Sequence, residues 1–165
     1  MDDAHDGPYA REPQIEDLAR ICYALNEAGA RYVLIGGFAV IARGGARTTK
    51  DIDLLIDASP DNVARVKQGL RVLEDKAVDE VADGDVGRYV VVRVADEVVV
   101  DLMAMACGID YDTAAKDLDF STIAGVSVPI ASVRTLIRTK ETLRPSDAAD
   151  RAYLQQLLDA EGDQR

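Results

Sequence analysis

The sequence has little histidine, cysteine or aromatic side chain, and each scarcity removes a class of chemistry. Its 165 residues include one histidine, two cysteines, two phenylalanines and no tryptophan. The lone His5 lies in an acidic N-terminal segment, so histidine-based triads and imidazole-rich zinc sites lack their parts. Cys22 and Cys107 are far apart in the chain. Each has apolar neighbours, so buried free thiols are expected rather than a disulfide, a metal pair or a redox pair. Few aromatic rings means few platforms on which unpaired bases could stack. Basic residues are also in the minority, 19 against 30 acidic, for a net charge of −11. Such a surface repels a phosphate backbone at long range, so general DNA binding is not expected. Uncharged runs are too short to cross a bilayer, and the polar start Met1 to Glu12 has no signal-like apolar segment. No membrane association and a cytoplasmic location follow as expectations. The remaining chemistry must come from carboxylates, hydroxyls, Lys, Arg and backbone.

An apolar fraction of 48% and a charged fraction of 30% are those of a globular chain. Its length suits a single domain. We expect a loose leader over residues 1–13 and one domain over 14–165, with a core of about 30–131 and terminal helices of about 132–160. Ile15, Leu18, Ile21, Cys22 and Leu25 share a helical stripe, which predicts a helix over 14–28 that Gly29 stops. Tyr32 to Ile35 is a short apolar strand running into Gly36-Gly37. Phe38 to Ala42 then opens a helix ended by Gly44-Gly45. A second strand is expected over Ile52 to Ile56. The next helix has Ser59 as cap, Pro60 at its first position, and Val63, Val66, Leu70 and Leu73 along one face. After an acidic loop at Asp83 to Gly87, strands at Tyr89–Val94 and Val98–Met103 form a hairpin through Ala95-Asp96-Glu97. A polar stretch leads to an edge strand at Val126–Ile130. Ser132 to Ala160 has the pattern of a helical hairpin. The order implies an α/β or α+β domain, a sheet with helices on at least one face.

Four Asp-x-Asp pairs occur, 51/53, 83/85, 110/112 and 117/119, about as many as chance gives with so much aspartate. Three lie in polar loops, where solvated surface is the ordinary reading. Asp51 and Asp53 differ because they open an apolar strand. Residues two apart on a strand share a side, so both carboxylates project together. Close like charges favour a cation between them, and hard oxygen donors select Mg²⁺ or Mn²⁺. Asp101 interrupts another apolar strand, where an unpaired carboxylate would cost several kcal/mol. It must be metal-bound, neutral or paired, for instance with Arg93. Three acids so placed could hold two divalent ions, the arrangement that clamps attacking and leaving oxygens in phosphoryl transfer.

Gly36-Gly37, thirteen intervening residues, Asp51-Ile-Asp53 and a later Asp101 together resemble the signature of the DNA polymerase β-like nucleotidyltransferase superfamily. Leu34-Ile-Gly-Gly-Phe-Ala-Val, Arg47-Thr-Thr-Lys-Asp-Ile-Asp-Leu-Leu and Lys140-Glu-Thr-Leu-Arg-Pro-Ser-Asp147-Ala-Ala-Asp150 are similar to the small bacterial branch with AbiEii-type toxins and minimal transferases. The resemblance implies a nucleotidyltransferase-like mixed sheet flanked by helices, with a C-terminal helical hairpin. It also implies an enzyme that moves a nucleoside monophosphate from an NTP to a hydroxyl acceptor and releases pyrophosphate. Two Mg²⁺ or Mn²⁺ ions would be held by Asp51, Asp53 and Asp101, the catalytic set. The nucleotide would meet Gly36, Gly37, Arg47, Thr49, Lys140 and Asp147. Many members carry Gly-Ser in the turn, whereas position 37 here is glycine. The acceptor stays open between tRNA, a protein and a small molecule such as a cationic antibiotic, with an antitoxin-like protein partner for a toxin-like enzyme. A silent binding module that keeps the fold is the alternative.

Overall fold

A computed structural model describes residues 10–163. His5 and residues 1–9 of the expected leader lie outside the described residues. The remainder of that leader is tied down. Pro13 is buried, Arg11 donates two 2.7 Å hydrogen bonds to Asp17, and its backbone N–H reaches the Glu97 carbonyl.

Helix α1 (Ile15–Glu27) buries Leu18, Ile21, Cys22 and Leu25 as the stripe requires, and Asp17 closes its first turn by accepting from the Gln14 N–H at 2.7 Å. Strand β1 (Tyr32–Ile35) is buried throughout. Helix α2 (Gly36–Ala42) starts at the first glycine itself, two residues earlier than expected. Strand β2 (Asp51–Ile56) follows. Helix α3 (Pro60–Leu70) begins after Ser59. That serine takes the cap position without a capping bond, because its hydroxyl faces Arg31 at 3.2 Å. Asn62, fully buried, instead joins α3 to the start of β1 by pairing with the Arg31 N–H and C=O.

A short 3-10 turn, Ala77–Glu80, comes before the expected acidic loop, and helix α4 (Asp85–Arg88) takes up most of that loop. Strands β3 (Val92–Ala95) and β4 (Val99–Met103) form the hairpin. Its turn is organised by buried Asp96, which accepts from the N–H groups of Asp75, Ala77 and Glu97. The strand expected from Tyr89 starts at Val92, where pairing with β4 ends at Leu102, and Tyr89, Val90 and Val91 are exposed. A miniature hairpin, β5 (Met105–Ala106) and β6 (Ile109–Asp110), turns through Cys107 and Gly108 at positive φ. Cys107 is therefore exposed at a turn, not buried, while Cys22 is fully buried. Helix α5 (Tyr111–Ala115) leads to β7 (Leu118–Ile123) and β8 (Val126–Ala131).

The polar stretch before β8 is thus a strand, and β8 is interior. The six-stranded order is β3-β4-β2-β1-β8-β7. Pairs β2/β4 and β1/β8 are parallel and the others antiparallel, a mixed sheet. The polar pattern of β7 fits an edge strand with one wet side, and its turn to β8 uses Ala124 and Gly125 at φ 46° and 82°, the two-residue geometry of a tight hairpin. Helices α6 (Val133–Thr139) and α7 (Pro145–Asp163) form the terminal hairpin, with Ser132 capping α6 through the Thr135 N–H.

Helices α1 and α3 meet closely at Gly69, where an added Cβ would lie 2.8 Å from the Leu25 side chain and 3.0 Å from its Cα. Gly69→Ala gains helix propensity of up to about 1 kcal/mol, but overpacking costs about 1–3 kcal/mol. A net loss of stability is expected in urea denaturation. An unchanged or raised midpoint would contradict the close approach of the two helices.

Candidate active site

Strands β2 and β4 run parallel with Asp51 beside Val99 and Asp53 beside Asp101. Alternation along each strand therefore sends all three carboxylates to the same side of the sheet. One oxygen from each lies within 4.8 Å of the others. Strand β3 adds Arg93 directly opposite Asp101. The Arg93 guanidinium donates to Asp101 through Nε at 2.9 Å and Nη2 at 3.0 Å, and Nη2 also reaches Asp51 Oδ2 at 3.2 Å. The ion pair considered for Asp101 is thus present, and it extends to Asp51.

The Asp53 carboxylate makes no hydrogen bond or ion pair among the described residues. Burial, then the negative charges of Asp51 and Asp101, push its carboxyl up to about 8, with Lys140 and Arg144 acting in the opposite sense. Charge at this position is unfavourable in the protein alone. A divalent cation removes that penalty, and three clustered hard oxygen donors fit Mg²⁺ or Mn²⁺.

Glycine is required at the turn facing these acids. Gly36 has φ +72°, and a Cβ there would stand 2.0 Å from Asp53 Oδ2. A Cβ on Gly37 would stand 2.7 Å from the Thr49 hydroxyl oxygen and 2.8 Å from the Thr49 Cβ. Thr49 thus fills the space that a side chain at position 37 would need. Its hydroxyl also donates to the Asp51 carbonyl at 3.2 Å.

The cation cluster comes from the α6–α7 junction. Lys140, 5% exposed, places Nζ 2.9 Å from Asp150 and 3.6 Å from Asp147. Arg47, from the loop before β2, pairs with the same Asp150. Arg144 contacts Asp147 at 2.9 Å, and the Thr142 hydroxyl donates to it. Burial opposes ionisation of Asp147, yet the bonds from Thr142 and Arg144 hold its carboxyl below the ordinary value. Lys140 is therefore part of a buried network. Its charge is directed at Asp147 and Asp150 rather than at solvent.

All nine candidate residues, Gly36, Gly37, Arg47, Thr49, Asp51, Asp53, Asp101, Lys140 and Asp147, line one cleft of about 530 Å³. Arg93, Arg144, Ser146 and Thr139 join them, and Ile35, Val91, Met103 and Ala106 supply apolar wall.

The chain is similar in structure to a candidate nucleotidyltransferase from Thermotoga maritima, with 13% identity, a TM-score of 0.54, and coverage of 96% of this chain and 99% of that one. The fold is nucleotidyltransferase-like. No family model and no curated protein matches the sequence. No described helix is long and apolar enough to cross a membrane.

Arg93 and Asp150 are the site residues whose place was not foreseen in full. A hairpin centred on Glu97 pairs position 93 with 101, so the β3–β4 turn carried the signal for Arg93. Asp147 and Asp150, three apart, share a helix face, which marks Asp150 as a second partner for any cation that Asp147 meets.

The raised Asp53 value has a definite sign. Between about 4 and about 8 the folded protein holds a proton that the unfolded chain has lost, so this group's contribution falls as pH rises through that window. Without divalent ions, Asp53→Asn should melt near wild type at pH 5 and above it at pH 8. The same offset at both values would show that Asp53 ionises freely.

Proposed function

We propose that this protein is a metal-dependent nucleotidyltransferase, moving a nucleoside monophosphate from an NTP to a hydroxyl-bearing acceptor with release of pyrophosphate. The observation that carries the reading is the meeting of Asp51, Asp53 and Asp101 in one cleft with the Gly36-Gly37 turn and the Lys140 cluster. The nucleotidyltransferase-like fold supports it.

Asp51 and Asp53 would hold both ions, and Asp101 the one on the acceptor side. Such ions supply positive charge to the oxygens that attack and leave. The chain's own groups do the rest. Gly36 and Gly37 expose backbone at the turn, where phosphate oxygens can approach without meeting a Cβ. The Thr49 hydroxyl stands at the same corner. Lys140, Arg47 and Arg144 offset triphosphate charge, and Asp147 and Asp150 hold the first two in place. Asp101 takes the proton as the acceptor oxygen bonds to the α-phosphorus. The bond from that phosphorus to the β-phosphate bridging oxygen breaks, and pyrophosphate departs. This is positioning with electrostatic stabilisation, as phosphoryl transfer requires.

The acceptor is a small cationic molecule, a protein or an RNA, and the toxin-like reading adds a restraining partner. A net charge of −11 favours a cationic acceptor, and the burial of Lys140 leaves less exposed positive charge for tRNA. Binding to tRNA that is weak and flat from low to high salt is the expected outcome, and a steep salt dependence would favour RNA.

The silent-module reading draws on the same Arg93 pairing that closes Asp101. Labelled ATP, CTP, GTP and UTP, offered in turn with Mg²⁺ and cell extract, separate the two. Wild type should transfer label to RNA, protein or a small molecule. Asp53→Asn should lower transfer at least about a hundredfold while remaining folded. Full activity in that variant, or no transfer from any nucleotide by wild type, would overturn the assignment.

A further inference from the structure

Arg93 stands between two of the three carboxylates. Its fork bonds both Asp101 oxygens and one Asp51 oxygen, while Asp53 has no such partner among the described residues. Bidentate guanidinium–carboxylate pairs are among the strong charge-assisted contacts. Asp101 is only 5% exposed, so exchanging that contact for water would be costly. Arg93 is not locked by the core. It sits on the edge strand β3 with a side chain 35% exposed, so the guanidinium can leave Asp101 without unpacking apolar residues.

We propose that Arg93 is a built-in competitor for the acceptor-side ion, holding Asp101 closed to divalent cations until its guanidinium is displaced. The inference rests on reading the cleft as a nucleotidyltransferase centre. Two consequences follow from charge alone. A cation can reach Asp53 while Arg93 stays in place, whereas ligation by Asp101 requires Arg93 to move. Affinity at Asp101 is then set by Arg93 as well as by the carboxylates, and the two ions bind unequally. Arg93 is thus a positioning residue, acting on the reaction only through the carboxylate it holds.

The test is Mn²⁺ binding to the full chain without nucleotide, read from the electron spin resonance of free Mn²⁺, with melting temperature followed alongside. Wild type should show one tighter and one weaker ion per chain. Arg93→Gln should tighten the weaker ion by about tenfold or more, since one bidentate charge-assisted pair no longer competes. It should also melt lower than wild type without metal and gain more from Mn²⁺. Arg93→Lys, which keeps charge without the fork, should fall between, and it answers the question if the glutamine variant fails to fold. Unchanged Mn²⁺ affinity in both variants would overturn the proposal. Weakened binding would do so too, because Arg93 would then be organising the acids rather than competing for them. Nucleotide labelling by wild type keeps the two readings apart. Label transfer with no effect at Arg93 sinks the competitor alone. Ion binding that appears only in the variants, with no wild-type transfer, upholds the competitor and removes the enzymatic reading. Binding in no form removes both.

Discussion

Like charge placed in register across β2 and β4 is the constraint around which the rest is arranged. The two strands cannot slip to relieve it. Ile52 and Leu54 of β2 and Val100 and Leu102 of β4 are buried in the core, and a shift of one residue would turn that apolar set toward the cleft. Core packing therefore fixes the acids side by side. The protein meets the resulting repulsion with Arg93 across Asp101 and Asp51 and with Lys140 and Arg144 acting at longer range, while burial and the two neighbouring acids push the Asp53 carboxyl up. None of these is as compact as a small divalent ion, which is why the cluster fits one.

The glycine turn is part of the same arrangement. Gly36 lets the backbone pass within contact of Asp53, which no L side chain at that positive φ would permit. Gly37 is glycine for a different reason, because Thr49 occupies the adjoining volume. Thr49, from the loop before β2, presents its hydroxyl to that corner of the turn.

Much of this was legible in the sequence because it rests on period and spacing. The stripe of α1, the apolar run of β1 and the Asp-x-Asp alternation of β2 each state which side chains share a face. Their burial agrees. What escaped was set by long-range partners. Strand β7 is polar because it is an edge, and nothing in Leu118 to Ile123 says which strand lies beside it. Tyr89 to Val91 has strong strand propensity but no partner on β4, so it stays exposed. Cys107 has apolar neighbours in sequence yet lies exposed on a turn at φ 48°, a place set by the short β5–β6 hairpin. Arg93 was legible only through hairpin register, and its reach to Asp51 depends on β2 lying beyond β4.

The terminal helices show how polar contacts can carry a structural load that apolar area does not. Helix α7 runs from Pro145 to Asp163 but buries just Asp147, Asp150 and Leu154. Its apolar stripe is narrow, so hydrophobic burial alone is a weak anchor. The anchor is ionic. Asp150 joins Arg47 before β2 to Lys140 after α6. Arg151 donates to the carbonyls of Lys140 and Thr142, and the Tyr153 hydroxyl donates to the Arg43 carbonyl at 2.7 Å. Buried ion pairs of this kind contribute little net stability compared with apolar packing, but breaking one side is expensive. Helix position and cation position are consequently a single variable. The chain cannot seat α7 without delivering Lys140 and Arg47 to the cleft beside the three acids.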